Sequence, residues 1–291
     1  MHPDELPVGE GLVRRLLTDQ FPQWARLPLR RVPSSGTVNA MYRLGGDLVV
    51  RLPFVEWGAG GIEQEAAWLP RLAPQLPVAI PTVLGSGVPG DGYPCPWLVL
   101  GWLPGHHPEP ASLRHPDAVG TGLAAFIVAL RCIDPAGAPT GHRGFSLHPF
   151  DASVRRTLHE AADLVDERRL LTVWEHALAA AEYDGPPVWV HGDLLPANVL
   201  LTDDRLSAVL DLGAAGVGDP ACDLMAAWSI LPPDARDGFR LAVGADDASW
   251  VRGRGYAMVQ AAVALPYYRE SNPGMVRNSM RILAELTAEG A

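Results

Sequence analysis

The stretch His191-Gly-Asp-Leu-Leu-Pro-Ala-Asn198, followed by Leu210-Asp-Leu-Gly213, restricts the fold of this chain more than any other segment. It sets Asp193, Asn198 and Asp211 in one short span with two β-prone runs between them. Asn198-Val-Leu-Leu-Thr202 and Leu206-Ser-Ala-Val-Leu-Asp211 read as strands, joined by a turn at Asp203-Asp204-Arg205. With Asp204-Arg205 as a two-residue loop, Asp203 faces Leu206 and Asn198 falls opposite Asp211. Directly opposed residues in an antiparallel pair lie roughly 4.5–5.5 Å apart at Cα, close enough to share one cation. Asp-Arg is not a preferred tight-turn pair, so a register slipped by one residue stays open. So does an ordinary surface hairpin whose ends happen to carry turn-forming Asp and Asn.

The residue types suit a particular chemistry. Magnesium takes hard oxygen ligands at about 2.0–2.1 Å, and an Asn carbonyl and an Asp carboxylate can supply two of them. A second Asp, kept off the metal, accepts or orients the proton of an attacking hydroxyl; Asp193 is the candidate. Asp, four residues, Asn, and then Asp-x-Gly is also the order of the protein-kinase catalytic loop and its Asp-Phe-Gly. Here Asp211-Leu-Gly213 stands in the second place.

The block resembles the aminoglycoside phosphotransferase family, which belongs with the choline-kinase and protein-kinase-like small-molecule kinases. The resemblance continues into Gly218-Asp-Pro-Ala-Cys-Asp223-Leu at the start of a helix. It implies an α+β, two-lobed protein-kinase-like fold, with a small β-rich N-terminal lobe and a larger, mainly helical C-terminal lobe. It further implies an O-phosphotransferase that moves the γ-phosphoryl of ATP or GTP to a hydroxyl of a small molecule. The leading acceptor is an aminoglycoside or related antibiotic, which would make the chain an antibiotic-resistance enzyme. A kinase of a choline-, sugar- or amino-alcohol-type metabolite and a nucleotide-binding regulatory pseudokinase are the alternatives. By the same resemblance Asp193 is catalytic, Asn198 and Asp211 hold Mg2+, and His191 and Asp223 brace the loop. Asp223 also reads simply as a helix N-terminal acid favoured by the dipole.

Positions 1–101 read as the nucleotide-binding lobe, with a hinge at about 98–104. Leu27–Arg31, Met41–Leu44 and Asp47–Arg51 are short strand candidates, the last two joined by Gly45-Gly46. Ser35, Gly36 and Thr37 sit where a phosphate loop would lie, although the segment also reads as a common turn. Arg51 occupies the place where the family usually has a strand lysine that contacts phosphate. Glu65, on an expected helix over 61–72, would be its partner, and a plain strand-to-helix salt bridge is the competing reading. All 23 basic residues are Arg, so the chain must use Arg here or forgo the cation. A guanidinium is a planar, permanently charged fork, where an ammonium is a point charge. Trp97 to Trp102 is an apolar strand running into Pro104-Gly105, and backbone groups from Leu100 to Trp102 would pair with the purine edge. His106 and His107 read as solvent-exposed.

Positions 102–291 read as the catalytic and acceptor-binding lobe. Helical periodicity runs over 118–133, 150–182, 223–231, 234–243, 247–268 and 273–288. Family resemblance places acceptor-pocket residues in this region, with Asp246, Asp247, Tyr267, Tyr268 and Glu270 as candidates. The two acids equally read as a helix N-cap pair and the tyrosines as core.

Length and charge agree with this reading. At 291 residues the chain is near the upper limit for a single core. A formal net charge of −10 argues against nucleic acid and would suit a cationic small molecule. No apolar run reaches the roughly 18 residues needed to span a bilayer. The first residues lack signal-peptide character, and three scattered cysteines match no metal or redox spacing. The expectation is a cytoplasmic enzyme that engages neither nucleic acid nor membrane.

Overall fold

Alternating apolar side chains set the first half of the architecture. The computed structural model describes residues 4–33, 38–141 and 144–288. The described residues divide into two compact units, Met1–Gly105 with Ala208–Gly213, and His106–Ser207 with Ala214–Ala291.

In the first unit, helix α1 (Glu10–Gln20) precedes strands β1 (Leu29–Arg31), β2 (Asn39–Leu44) and β3 (Leu48–Pro53). Helix α2 (Ala59–Leu72) follows, then β4 (Val83–Gly87) and β5 (Trp97–Gly101). The strands form one sheet in the order β1-β2-β3-β5-β4, with every pair antiparallel. Successive side chains of a strand point to opposite faces. Val50 and Leu52 therefore join Val13, Leu16 and Leu17 of α1 and Trp97 of β5 in one buried cluster. Arg51, between them, turns to the other face, where α2 lies. It sits opposite Met41 on one side and Leu98 on the other, in the middle of the sheet.

The second unit is mainly helical. It contains α3 (Pro116–Arg131), α4 (Asp151–Glu160), α5 (Glu167–Ala179), β6 (Val188–Val190) and β7 (Val199–Thr202). Strand β8 (Arg205–Val209) begins in this unit and enters the first after Ser207. Then come β9 (Gly216–Gly218), α6 (Ala226–Ser229), α7 (Pro233–Val243), α8 (Asp247–Tyr268) and α9 (Pro273–Ala288). Strands β6 and β9 pair antiparallel, Trp189 facing Val217, and β7 pairs with β8. Helix α8 packs against α4, α5 and α9. Its buried residues, from Arg252 to Leu265, fall on most of its circumference, as expected for a central helix. Among the described residues, no helix is long and apolar enough to cross a membrane.

The structure corrects three local expectations. The hairpin loop is Asp203-Asp204, one position earlier than Asp204-Arg205, and both residues have positive φ (50° and 57°). Left-handed conformations at both central positions make the primed turn that matches strand twist, and Asp tolerates that region better than most residues. Direct opposition of Asn198 and Asp211 does not follow from this register. The periodic run over 150–182 is split because Asp166 starts a new helix, its carboxylate accepting the Arg169 N–H at 3.1 Å. The expected helix from Asp223 begins earlier, as a 3-10 turn over Pro220–Met225 capped by Asp219, which accepts the Ala221 N–H at 2.8 Å.

Candidate active site

The loop that follows β6 carries the residues of the His191–Asn198 motif. Gly192, at φ +77°, supplies the left-handed step between His191 and Asp193. The Asp223 side chain is fully buried beneath it and accepts two backbone N–H groups, from His191 and from Gly192, each at 2.8 Å. Burial holds the Asp223 carboxyl above its ordinary value, against the pull of the two N–H donors. Both oxygens act as acceptors, the arrangement of an ionised carboxylate. The Asp193 N–H donates to His191 Nδ1 at 3.2 Å, so that ring nitrogen is the acceptor and the proton belongs to Nε2. Ser229 adds a bond to the Leu194 carbonyl at 2.6 Å.

Asp193 itself is half-buried. Asn198 Nδ2 donates to its carbonyl at 2.8 Å and to carboxylate Oδ2 at 3.0 Å. The other carboxylate oxygen, Oδ1, accepts from Gln260 Nε2 of α8 at 2.9 Å. Sequence reasoning missed Gln260, together with two further residues of the same helix. Arg252 clasps Asp219 with Nε at 2.7 Å and Nη2 at 3.2 Å, and the Tyr256 hydroxyl lies 3.3 Å from Asp219. Burial and the Asp219 charge push the Tyr256 phenol up, so it remains a donor. The available signal was the spacing 252, 256, 260, which puts three polar side chains on one face of the helix.

In the first unit, Arg51 and Glu65 meet as expected, and Asp211 joins them. Arg51 Nη1 lies 2.8 Å from Glu65 Oε1 and Nη2 lies 2.6 Å from Asp211 Oδ1. The same Glu65 oxygen accepts the Leu212 N–H at 2.9 Å. With its amide oriented to satisfy hydrogen bonding, Asn39 accepts from Arg51 Nε at 3.2 Å and Nη2 at 2.9 Å. A lysine ammonium is a single nitrogen and could not reproduce the three donor nitrogens that Arg51 uses here. Burial opposes the Arg51 charge, but Asp211 and Glu65 more than offset it and hold the guanidinium above its ordinary value. Burial pushes Glu65 up against the pull of Arg51, and Glu65 Oε2 is buried without a hydrogen-bond partner among the described residues. Asp211 adopts φ +59°, an uncommon conformation for a residue with a side chain.

The donor set can be tested against magnesium. Among the described residues, no group of three or more His, Cys, Asp or Glu forms a cage. Magnesium is normally bound by one or two carboxylates plus substrate phosphates and water rather than by an all-protein cage. Asp211 offers a carboxylate. Asn198 has its amide nitrogen committed to Asp193, which turns its oxygen elsewhere. The residues fit.

Other expected positions fare differently. Ser35, Gly36 and Thr37 lie outside the described residues. Leu100 is inside β5, paired with Val49 and Val83. The N–H groups of Gly101 and Trp102 donate to Thr82 and Asp47 at 2.9 and 2.8 Å, so these two donors serve the first unit itself rather than a purine. Trp102 lies under the Arg43 guanidinium, 3.9 Å from ring centroid to Cζ. His106 and His107 are exposed.

The five acceptor-pocket candidates are separated. Asp246 caps α8, accepting the Ser249 N–H at 2.7 Å, and the Ser249 bonds hold its carboxyl below the usual range. Asp247 pairs with Arg240. Tyr267, Tyr268 and Glu270 are at the far end of the helix, about 30 Å away at 1.5 Å per residue. One small acceptor cannot touch both ends. Tyr267, half exposed, lies seven residues from Gln260 and so on the same helix face.

A family model described as "Phosphotransferase enzyme family" matches residues 30–257. Among solved structures, the GDP and kanamycin complex of APH(2")-IIia superposes with a TM-score of 0.75 at 20% identity, covering 96% of this chain and 99% of that one. The macrolide 2'-phosphotransferase MphH from Brachybacterium faecium gives a TM-score of 0.61 at 23% identity, over 95% of this chain and 97% of the other. At these identities the likeness shows a shared α+β, kinase-like fold. A homoserine kinase of Granulibacter bethesdensis is 30% identical over 140 residues, which is 43% of this chain and 39% of that protein.

Proposed function

We propose, since this chain belongs to the phosphotransferase enzyme family, that it transfers the γ-phosphoryl group of ATP or GTP to a hydroxyl of a small molecule, with an aminoglycoside or related antibiotic as the leading acceptor. The observation that carries the reading is the Asp193 carboxylate, half-buried and held on both oxygens by Asn198 and Gln260. Such a carboxylate has capacity for more than these two donors, so it can take the acceptor hydroxyl as a third. In the reaction the hydroxyl oxygen forms a bond to the γ-phosphorus as the bond to the β–γ bridging oxygen breaks. The proton passes to Asp193, and the nucleoside diphosphate leaves.

The remaining roles follow from the donor chemistry. Asn198 and Asp211 would each offer an oxygen to magnesium, which when bound would spread the negative charge on the transferring group. Arg51, braced by Glu65 and Asn39, presents positive charge to the phosphates. His191 and Asp223 fix the loop backbone. Tyr267, Tyr268 and Glu270 are the acceptor contacts in this reading, while Asp246 and Asp247 serve the start of α8.

The partial match to a homoserine kinase supports one second reading, an amino-alcohol metabolite as acceptor. Incubation with Mg-ATP and Mg-GTP against a panel of aminoglycosides, macrolides, homoserine and choline, read by product mass spectrometry, tests both. A product heavier by one phosphoryl group is expected from at least one antibiotic. A product from homoserine alone replaces the first acceptor with the second, and no phosphorylated product from any acceptor overturns the proposal.

A further inference from the structure

Helix α8 does more than fill the core of the second unit. Its residues 252, 256 and 260 form a row one turn apart, each step rising about 6 Å, and each contacts a carboxylate of a motif loop. Arg252 holds Asp219 by two bonds, and the Tyr256 hydroxyl, which donates to the Phe145 carbonyl, lies 3.3 Å from the same carboxylate. Asp219 caps the 3-10 turn that carries Asp223, and Asp223 takes the N–H groups of His191 and Gly192. Gln260 then reaches Asp193 directly. The helix is thus tied at two points, about 12 Å apart along its axis, to a single chain of contacts that ends on the Asp193 carboxylate.

We propose that Gln260 is a positioning residue of the phosphoryl-transfer reaction, fixing the rotation of the Asp193 carboxylate through Oδ1 while Asn198 fixes Oδ2. The inference rests on the catalytic role of Asp193 proposed above. A carboxylate held by one donor alone can swing about χ2, which is a broad torsion for Asp. Two donors on different oxygens set the plane. The donor must reach Oδ1 without bringing a negative charge: a carboxylate at 260 would repel Asp193, and the amide Nε2 stands 2.9 Å from Oδ1. Gln260 belongs to a rigid, buried element and not to a loop, which suits orientation of a reacting group. Gln260 does not receive the proton and forms no bond to the phosphoryl group.

The test uses the full chain and two variants of nearly unchanged shape, Gln260→Met and Gln260→Glu. Turnover is followed with Mg-ATP and Mg-GTP, using the acceptor that the panel identifies and water as the basal acceptor. Loss of a hydrogen bond to a charged group predicts a fall in kcat of about tenfold or more for Gln260→Met, with both KM values within threefold. Gln260→Glu falls further, and the thermal midpoint of Gln260→Met stays near that of the wild type. An unchanged kcat with a raised acceptor KM would make Gln260 an acceptor contact and overturn the proposal, as would a parallel fall in kcat and thermal midpoint. If the wild type consumes no nucleotide with any acceptor, the functional reading fails on its own. Crystal structures of the wild type and Gln260→Met then decide the positioning role: rotation of the Asp193 carboxylate away from Asn198 Nδ2 supports it, and an unmoved carboxylate refutes it.

Discussion

Asp223 gives the sharpest energetic prediction. Its side chain is inaccessible to solvent and accepts two buried N–H groups at 2.8 Å, from His191 and Gly192. Asp223→Ala leaves both without a partner, and each orphaned buried donor costs about 1–3 kcal/mol. The expected loss is therefore about 2–6 kcal/mol out of a total that is typically about 5–15 kcal/mol. Asp223→Asn keeps one acceptor oxygen and turns an NH2 toward the other N–H, so it falls between the wild type and Asp223→Ala. Native-state hydrogen exchange reads the effect at the two amides themselves, with urea unfolding giving the overall loss. The amides of His191 and Gly192 lose protection in Asp223→Ala, more than those of strands β2 and β3 in the first unit. A change below about 0.5 kcal/mol, the range of an ordinary surface substitution, would refute the argument that these two bonds hold the loop.

Three other outcomes are expected. Arg51→Met strips a buried partner from Glu65 and Asp211 and destabilises the chain by about 3–5 kcal/mol, whereas Arg51→Lys costs less and weakens nucleotide binding; denaturant titration and isothermal calorimetry with Mg-nucleotide separate the two effects. Glu65 has its folded-state pKa raised by burial, so its contribution is fully present below the unfolded carboxyl pKa and is lost as pH rises through the raised value. Stability measured between pH 4 and 8 therefore declines more with pH in the wild type than in Glu65→Gln. An ideal Cβ at Gly218 would lie 2.2 Å from the Gly144 carbonyl oxygen. Gly218→Ala is thus expected to cost about 1–3 kcal/mol by overpacking, seen as a lowered urea midpoint.

Much of the site could be read from the chain because its chemistry is local. Asp193 and Asn198 are five residues apart, and the turn between them brings amide to carboxylate within 3.0 Å. Arg51 and Glu65 were legible only through the family resemblance, which implies a cation on that strand and an acid on the following helix; the structure brings the two side chains within 2.8 Å. The turn at Asp203-Asp204 was misjudged since two adjacent left-handed Asp residues run against ordinary preference. Asp246 and Tyr268 were grouped by sequence region, and only the length of α8 shows that they lie at opposite ends. Gln260 and Asn39 escaped because each acts on a residue 67 or 12 positions away, a distance across which a single glutamine or asparagine carries no sequence signal.

The central claim is that Asp193 accepts the hydroxyl proton during phosphoryl transfer. The direct test is kcat of Asp193→Asn, which nearly keeps the shape of the side chain, with Mg-nucleotide and the acceptor found in the panel. General-base catalysis contributes about 10²–10⁴-fold, so kcat should fall by that factor while nucleotide KM stays within threefold and the fold persists by circular dichroism. Turnover within threefold of the wild type would contradict the account.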